Sequence, residues 1–150
     1  MRPYAATDFA RVLDLYAAVG WTAYTKAPEV LRRALDGSST VVIETVVIET
    51  VVIETVVPEA EVPGVERVLG LARVVSDGAT ICYLQDVLVH PSARRTGLGS
   101  RLVTAALEPY AAVRQKVLLT DDEAGQKAFY EALGYSSIEG TTLRAFTRFD

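Results

Sequence analysis

The chain has 150 residues, half of them hydrophobic and 23% charged, which suits one domain with its own core and excludes a disordered chain. A formal net charge of −4 lacks the broad basic footprint of a nucleic-acid binder, so no nucleic-acid partner is expected. The one cysteine, Cys82, rules out an intrachain disulfide, and the absence of about 18 consecutive apolar residues argues against a membrane partner.

Met1-Arg2-Pro3 leads into a polar, amphipathic stretch instead of a signal-peptide core, so a cytoplasmic location is expected. Residues 7–19 predict a first helix capped by Thr7 or Asp8, with Phe9, Val12, Leu13 and Tyr16 as its buried stripe and Gly20 at its end. Trp21 and Tyr24 follow in a short connecting loop, where they either line a pocket or cap the core. Pro28 opens a second helix over 28–36, with Leu31 and Leu35 inward and Gly37 after its end.

Residues 41–57 are three identical copies of V-V-I-E-T followed by Val56-Val57. Val, Ile and Thr favour extended structure, but a period of five puts Glu44, Glu49 and Glu54 on alternating faces of a strand. One continuous strand of this length would run roughly 56 Å, far beyond the usual strand. The expectation is one copy in an ordinary strand and two as an insertion, from a tandem duplication or a cloning alteration. The alternative is an extended arm or a pairing edge, with a homodimer as an option. A loop with two prolines, P-E-A-E-V-P-G, follows at 58–64.

Strands are expected at 66–76 and 79–90, joined by the hairpin signal Asp77-Gly78. A helix over 97–108 carries Leu98, Leu102, Val103 and Ala106 inward. Then come a short strand at 116–120, an acidic turn Asp121-Asp122-Glu123 that caps a helix at 124–133, Gly134, and a last strand at 141–149. The order α-α-β-β-β-α-β-α-β predicts an α/β fold, a mixed sheet with helices on its faces.

The chain is organised around Tyr83 to Arg101, Y-L-Q-D-V-L-V-H-P-S-A-R-R-T-G-L-G-S-R. Strand, glycine-bearing turn and helix start make a device for holding a polyphosphate, because the first helical amides lack intrahelical partners and the helix dipole favours an anion there. Gly97 and Gly99 allow close backbone approach, and Arg94, Arg95 and Arg101 add positive charge.

The segment D-V-L-V-H-P-S-A-R-R-T-G-L-G-S-R-L-V resembles the acetyl-CoA signature of the GNAT superfamily of N-acetyltransferases. The segment A-G-Q-K-A-F-Y-E-A-L-G-Y (124–135) is similar to the later family motif, a helix bearing an aromatic and ending in Leu-Gly-(Phe/Tyr). The segment V-G-W-T-A-Y-T-K (19–26) is similar to the first-helix region of a bacterial subgroup. The resemblance covers nearly the whole chain except 46–64. It implies a single GNAT-like domain over 1–150, with a central mixed, mostly antiparallel sheet and a repetitive insertion around 41–57. It also implies acetyl transfer from acetyl-CoA to a primary amine, on a small molecule or a peptide, by direct attack in a ternary complex, without a metal. The cofactor pyrophosphate would rest on Arg94, Arg95, Thr96, Gly97, Leu98, Gly99 and Ser100. The pantetheine arm would pair with Val87, Leu88 and Val89, and an N–H near Leu88 would meet the oxyanion. Tyr130 would protonate the departing thiolate.

The positions that resemble those of a family base are Tyr83 and Gln85, and neither is a good base. Asp86 is a carboxylate that alternation places on the opposite face from them, unless a bulge rotates it. Asp121 and Asp122 are the other carboxylates near the strand ends. His90 lies past the strand end and reads as a loop histidine. Trp21, Tyr24, Tyr83 and Gln85 are the substrate-binding candidates, the aromatics through cation–π contact with a cationic amine. A module that binds acyl-CoA or a protein without turnover, with oligomerisation through 41–57, is the competing reading.

Overall fold

The computed structural model describes residues 1–48 and 65–148, in two compact units, Met1–Leu118 and Leu119–Asp150. The first unit holds a five-stranded sheet in the order β1-β2-β3-β4-β5. Its strands are β1 (Arg2–Pro3), β2 (Thr40–Ile48), β3 (Val65–Ser76), β4 (Ile81–Val89) and β5 (Gln115–Val117). Neighbours from β1 to β4 run antiparallel, and β5 runs parallel to β4. The mixed, mostly antiparallel sheet is the expected one; its two-residue first strand was not foreseen, because two residues carry no periodicity.

Helices α1 (Phe9–Ala18), α2 (Thr22–Thr25) and α3 (Pro28–Asp36) precede β2. Phe9, Val12, Leu15 and Tyr16 of α1 join Leu31 and Leu35 of α3 over Val41, Ile43, Val68, Leu71 and Leu88 of the sheet. Leu15 takes the core place expected of Leu13, which is only half-buried. Asp8 does not cap α1 with its side chain; its carboxylate accepts from the Ala5 N–H at 2.9 Å and pairs with Arg2 and Arg11. Trp21 and Tyr24 belong to the short helix α2 or its cap, not to a loop.

The other face of β3 lies against α4 (Leu98–Leu107), whose Leu98, Leu102, Val103 and Ala106 are buried as the spacing predicts. Gly70 makes this approach possible. A Cβ there would sit 2.6 Å from Leu102 Cδ1 and 3.0 Å from the Leu88 carbonyl oxygen. The strand pair β3–β4 closes through residues 77–80, where the Asp77 carboxylate accepts from the N–H groups of Ala79, Thr80 and Ile81. Those bonds hold 79–80 as turn, so β4 starts at Ile81, two residues later than expected.

β2 takes one whole V-V-I-E-T copy and three residues of the next, more than the single copy expected. Its register against β3 shifts between Glu44 and Thr45. The extra residue is Leu69 of β3, so the shift resets which β3 side chains face the core and leaves the alternation of β2 unchanged. The rest of the repeat from residue 49, and the loop at 58–64, lie outside the described residues. β5 sits one residue earlier and ends three residues earlier than the expected 116–120.

The second unit holds α5 (Ala124–Ala132). Glu123 caps it without a side-chain bond, so the acidic turn does not cap through its carboxylates. Gly134 at φ 86° ends it, with Tyr135 N–H donating to the Tyr130 carbonyl at 3.0 Å and Gly134 N–H to that of Glu131 at 3.0 Å. No strand forms over the described residues 141–148. Thr141 and Arg144 bond local backbone instead, and Leu143 and Phe146 are 63% and 92% exposed. Alternation alone makes no strand without a partner edge, and short side-chain bonds to the backbone compete with one.

Candidate functional site

Strand β4 is paired on both sides only at its start. β5 covers Ile81 to Tyr83, whereas β3 accompanies β4 from Cys82 to Val89. Among the described residues, the second half of β4 therefore offers an unpaired edge within the sheet. The His90 N–H donates to the Leu69 carbonyl at 2.8 Å, which sets the alternation along this stretch. Leu88 and Asp86 direct their backbone groups at β3, and Val87 and Val89 direct theirs at the open side. The expected N–H near Leu88 is thus turned inward to β3, and the outward amides are those of Val87 and Val89.

The reason lies two residues earlier. Val74 pairs with Leu84 but Arg73 pairs with Asp86, so Gln85 is an extra residue in β4. Adjacent residues Arg73 and Val74 send their side chains to opposite faces, hence so do Leu84 and Asp86. The bulge rotates Asp86 onto the α1 face, the face of Tyr83, and simple alternation fails at this point.

Beyond β4 the chain makes a short helical turn, Pro91–Ala93, where the Ser92 N–H donates to His90 Nδ1 at 3.2 Å. His90 is therefore a half-buried cap of this turn. The following turn carries two left-handed residues in three, Arg95 at φ 63° and Gly97 at φ 79°. A non-glycine residue at positive φ is uncommon and costs on the order of 1–3 kcal/mol. The conformation directs successive N–H groups toward the start of α4, where no side chain caps the helix and no acidic residue occupies the first turn. Nothing lies within 4 Å of where a Gly97 Cβ would stand. Arg94, Arg95 and Arg101 are exposed and have no carboxylate partner among the described residues. Thr96 turns its hydroxyl to the Ala93 carbonyl at 2.7 Å, Leu98 packs into the core, and Gly99 and Ser100 are half-buried in the first turn. Such a cradle has the donors, charge and open space that a pyrophosphate needs.

On the α1 face, three aromatic rings cluster. Trp21 stacks on Tyr24 at 5.8 Å, and Tyr16 meets them at 6.0 and 5.2 Å. Trp21 is 36% exposed, while Tyr24, Tyr83 and Gln85 are half-buried. Burial, then the nearby Asp86 carboxylate, push the Tyr24 hydroxyl above its ordinary value, against a hydrogen bond with the Gln85 side chain. The structure thus brings Trp21, Tyr24, Tyr83 and Gln85 to one face. It adds three residues not among the candidates for binding. Tyr16 donates to Asp86 Oδ2 at 2.7 Å, Arg73 Nε donates to the same oxygen at 2.5 Å, and Arg73 Nη1 donates to Ser38 Oγ at 3.2 Å. Asp86 and Arg73 are 2% and 6% exposed. The signal was present: one cation and one anion, each inside an otherwise apolar run, on either side of the hairpin turn. Cys82 packs on the opposite face as a buried thiol, raised by that burial.

In the second unit, Tyr130 is half-buried against Phe129 at 4.9 Å and Tyr135 at 6.0 Å. Burial raises its hydroxyl above the usual value, opposed by a hydrogen bond with Thr120. A phenol so placed stays protonated at neutral pH. Asp121 and Asp122 are exposed. Among the described residues no group of His, Cys, Asp and Glu is placed to hold a metal, and no helix is long and apolar enough to cross a membrane.

An acetyltransferase (GNAT) domain model matches residues 49–137. No curated protein matches the chain. Among solved structures, a GNAT-family acetyltransferase of Streptococcus pneumoniae is similar at 26% identity, over 95% of this chain and 90% of that one, with a TM-score of 0.70. An acetyltransferase of Trypanosoma brucei shares the fold at 20% identity, over 99% and 96% of the two chains, with a TM-score of 0.59. The family match takes in β4 with its open edge, the turn at 94–97, α4 and α5, and on that ground the protein belongs to the GNAT acetyltransferases and is an acyltransferase.

Proposed function

We propose that the protein transfers the acetyl group of acetyl-CoA to a primary amine by direct attack in a ternary complex. The observation that carries this reading is the unpaired edge of β4 running straight into the Arg94–Ser100 cradle. One end suits an extended amide-bearing arm and the other a pyrophosphate, which together describe CoA better than a simple nucleotide. The arm takes the outward groups of Val87 and Val89, with Leu88 between them facing β3. Arg94, Arg95, Thr96, Gly97, Leu98, Gly99 and Ser100 form the cradle. The N–H of Val87 or Val89 meets the oxyanion. The family match over residues 49–137 supports reading the chain as a single GNAT-like domain.

Tyr130 gives its proton to the departing thiolate, a role that a hydroxyl kept protonated by burial suits. The amine approaches over Trp21, Tyr24, Tyr83 and Gln85, where the aromatic faces attract a cationic group before it loses its proton to solvent. As the amine nitrogen attacks the thioester carbon, the C–S bond breaks. The sulfur takes the Tyr130 proton, the nitrogen proton passes to solvent, and the Tyr130 oxygen regains a proton from solvent before the next turnover.

One observation favours a second reading, a module that binds acyl-CoA without turnover: the carboxylate on β4 itself, Asp86, is buried and bound to Arg73 and Tyr16. Release of free thiol from acetyl-CoA over a panel of small-molecule and peptide amines separates the two. Thiol release with at least one amine supports the transferase. A thermal shift with acetyl-CoA but no turnover with any amine supports the module, and no shift at millimolar acetyl-CoA removes both.

A further inference from the structure

We propose that the buried Tyr16–Asp86–Arg73 set is a register pin that selects which β4 amides are offered to the pantetheine arm. The inference rests on the acetyl-CoA reading above for its consequence, but not for the pin itself. Consider β4 without its bulge. Continuing the pairing from Val74–Leu84 would set Gln85 opposite Arg73 and Asp86 opposite Ala72. Asp86 would then leave on the same face as Leu84, against the apolar side of α4, with Arg73 on the other face and no partner. A carboxylate buried without a partner is far costlier than one extra strand residue. The observed register places Asp86 beside Arg73 Nε and the Tyr16 hydroxyl, both on Oδ2, whereas Oδ1 has no partner among the described residues. Arg73 is in turn held by Ser38 Oγ just before β2.

The same choice of register reverses the open edge. With the bulge, Val87 and Val89 turn their N–H and C=O groups outward and Leu88 turns inward. Without it, Val87 would bond to β3 and Leu88 would face outward. The pin therefore does not touch the ligand. Tyr16, Arg73 and Asp86 are positioning residues that act through the backbone of Val87 and Val89. Replacing a buried ion pair by well-packed apolar residues is commonly tolerated, so its retention fits a role in specifying one conformation.

The test uses the full chain with Arg73→Met and Asp86→Leu combined, which removes both charges together, and Tyr16→Phe as a milder variant. Two probes are titrated by calorimetry: acetyl-CoA, and the adenosine bisphosphate end of CoA, which reaches only the cradle. The double variant is expected to lose about tenfold or more in acetyl-CoA affinity while adenosine bisphosphate affinity stays within about twofold. Tyr16→Phe shifts acetyl-CoA the same way by a few-fold and serves alone if the double variant does not fold. Amide hydrogen exchange reads the register without any ligand. Leu88 is protected and Val87 exchanges in the parent protein, and the double variant reverses them. Unchanged acetyl-CoA affinity, or equal loss on both probes, overturns the inference. A parent protein that binds neither probe removes the acetyl-CoA reading, whereas an exchange pattern unchanged in the double variant removes the pin.

Discussion

Arg2 in β1 grips both carboxylate oxygens of Asp8 at 2.6 Å, tying the first strand to the turn that starts α1. Asp8 is 1% exposed, and Arg11 adds a bond at 3.0 Å from the first turn of the helix. The Arg2 hydrogen bonds hold the Asp8 carboxyl below its ordinary value, outweighing burial. A carboxyl with a depressed folded value contributes stability that is complete above its unfolded value of about 3.9 and is lost as pH falls through the folded value. Stability is thus expected to fall on acidification below about pH 4, and Asp8→Asn to flatten that part of the slope. Urea midpoints measured from pH 2 to 6 check this. Equal acid slopes in both proteins would count against it.

The Arg73–Asp86 pair makes a different claim about stability. Both side chains are buried, so removing one leaves the other charged in the core. Asp86→Ala is expected to cost about 3–5 kcal/mol, while Arg73→Met with Asp86→Leu costs far less or nothing. Chemical unfolding of the single and double variants gives the comparison, and additive losses would contradict it.

Gly97 stands at φ 79° with open space where a side chain would project. Gly97→Ala meets no atom in the unliganded protein, so its cost there is conformational, about 1–2 kcal/mol. The methyl group would occupy the mouth of the cradle. Hence the melting shift produced by saturating acetyl-CoA is expected to shrink well beyond the loss in intrinsic stability. An undiminished shift would move the pyrophosphate elsewhere.

Tyr130→Phe removes the proposed acid and leaves the ring contacts with Phe129 and Tyr135. Turnover is expected to drop about 10²–10⁴-fold with acetyl-CoA affinity nearly intact. Steady-state rates with a responsive amine, paired with calorimetric binding, measure both quantities. Turnover equal to the parent's would take Tyr130 out of the mechanism.

Much of the candidate site was legible because its parts are local. Gly97, the arginines and the start of α4 are contiguous, and Leu98, Leu102, Val103 and Ala106 mark the helix by spacing alone. The α5 end at Gly134 is equally local. What failed were expectations that needed a partner. The alternation at 141–149 has no paired strand over 141–148, and Leu13 lost its core place to Leu15 by a matter of helix rotation.

Sequence by itself determined the family, the elements from α3 to α5 and the candidate cradle's place between β4 and α4, because hydrophobic period and turn chemistry act between residues close in the chain. Tertiary structure decided the register of β4. Gln85 as a bulge, Asp86 on the face of Tyr83, and Val87 and Val89 rather than Leu88 on the open edge all follow from Arg73 and Tyr16. Those residues are 13 and 70 positions away from Asp86, and only the folded chain brings their charges and hydroxyl to one oxygen.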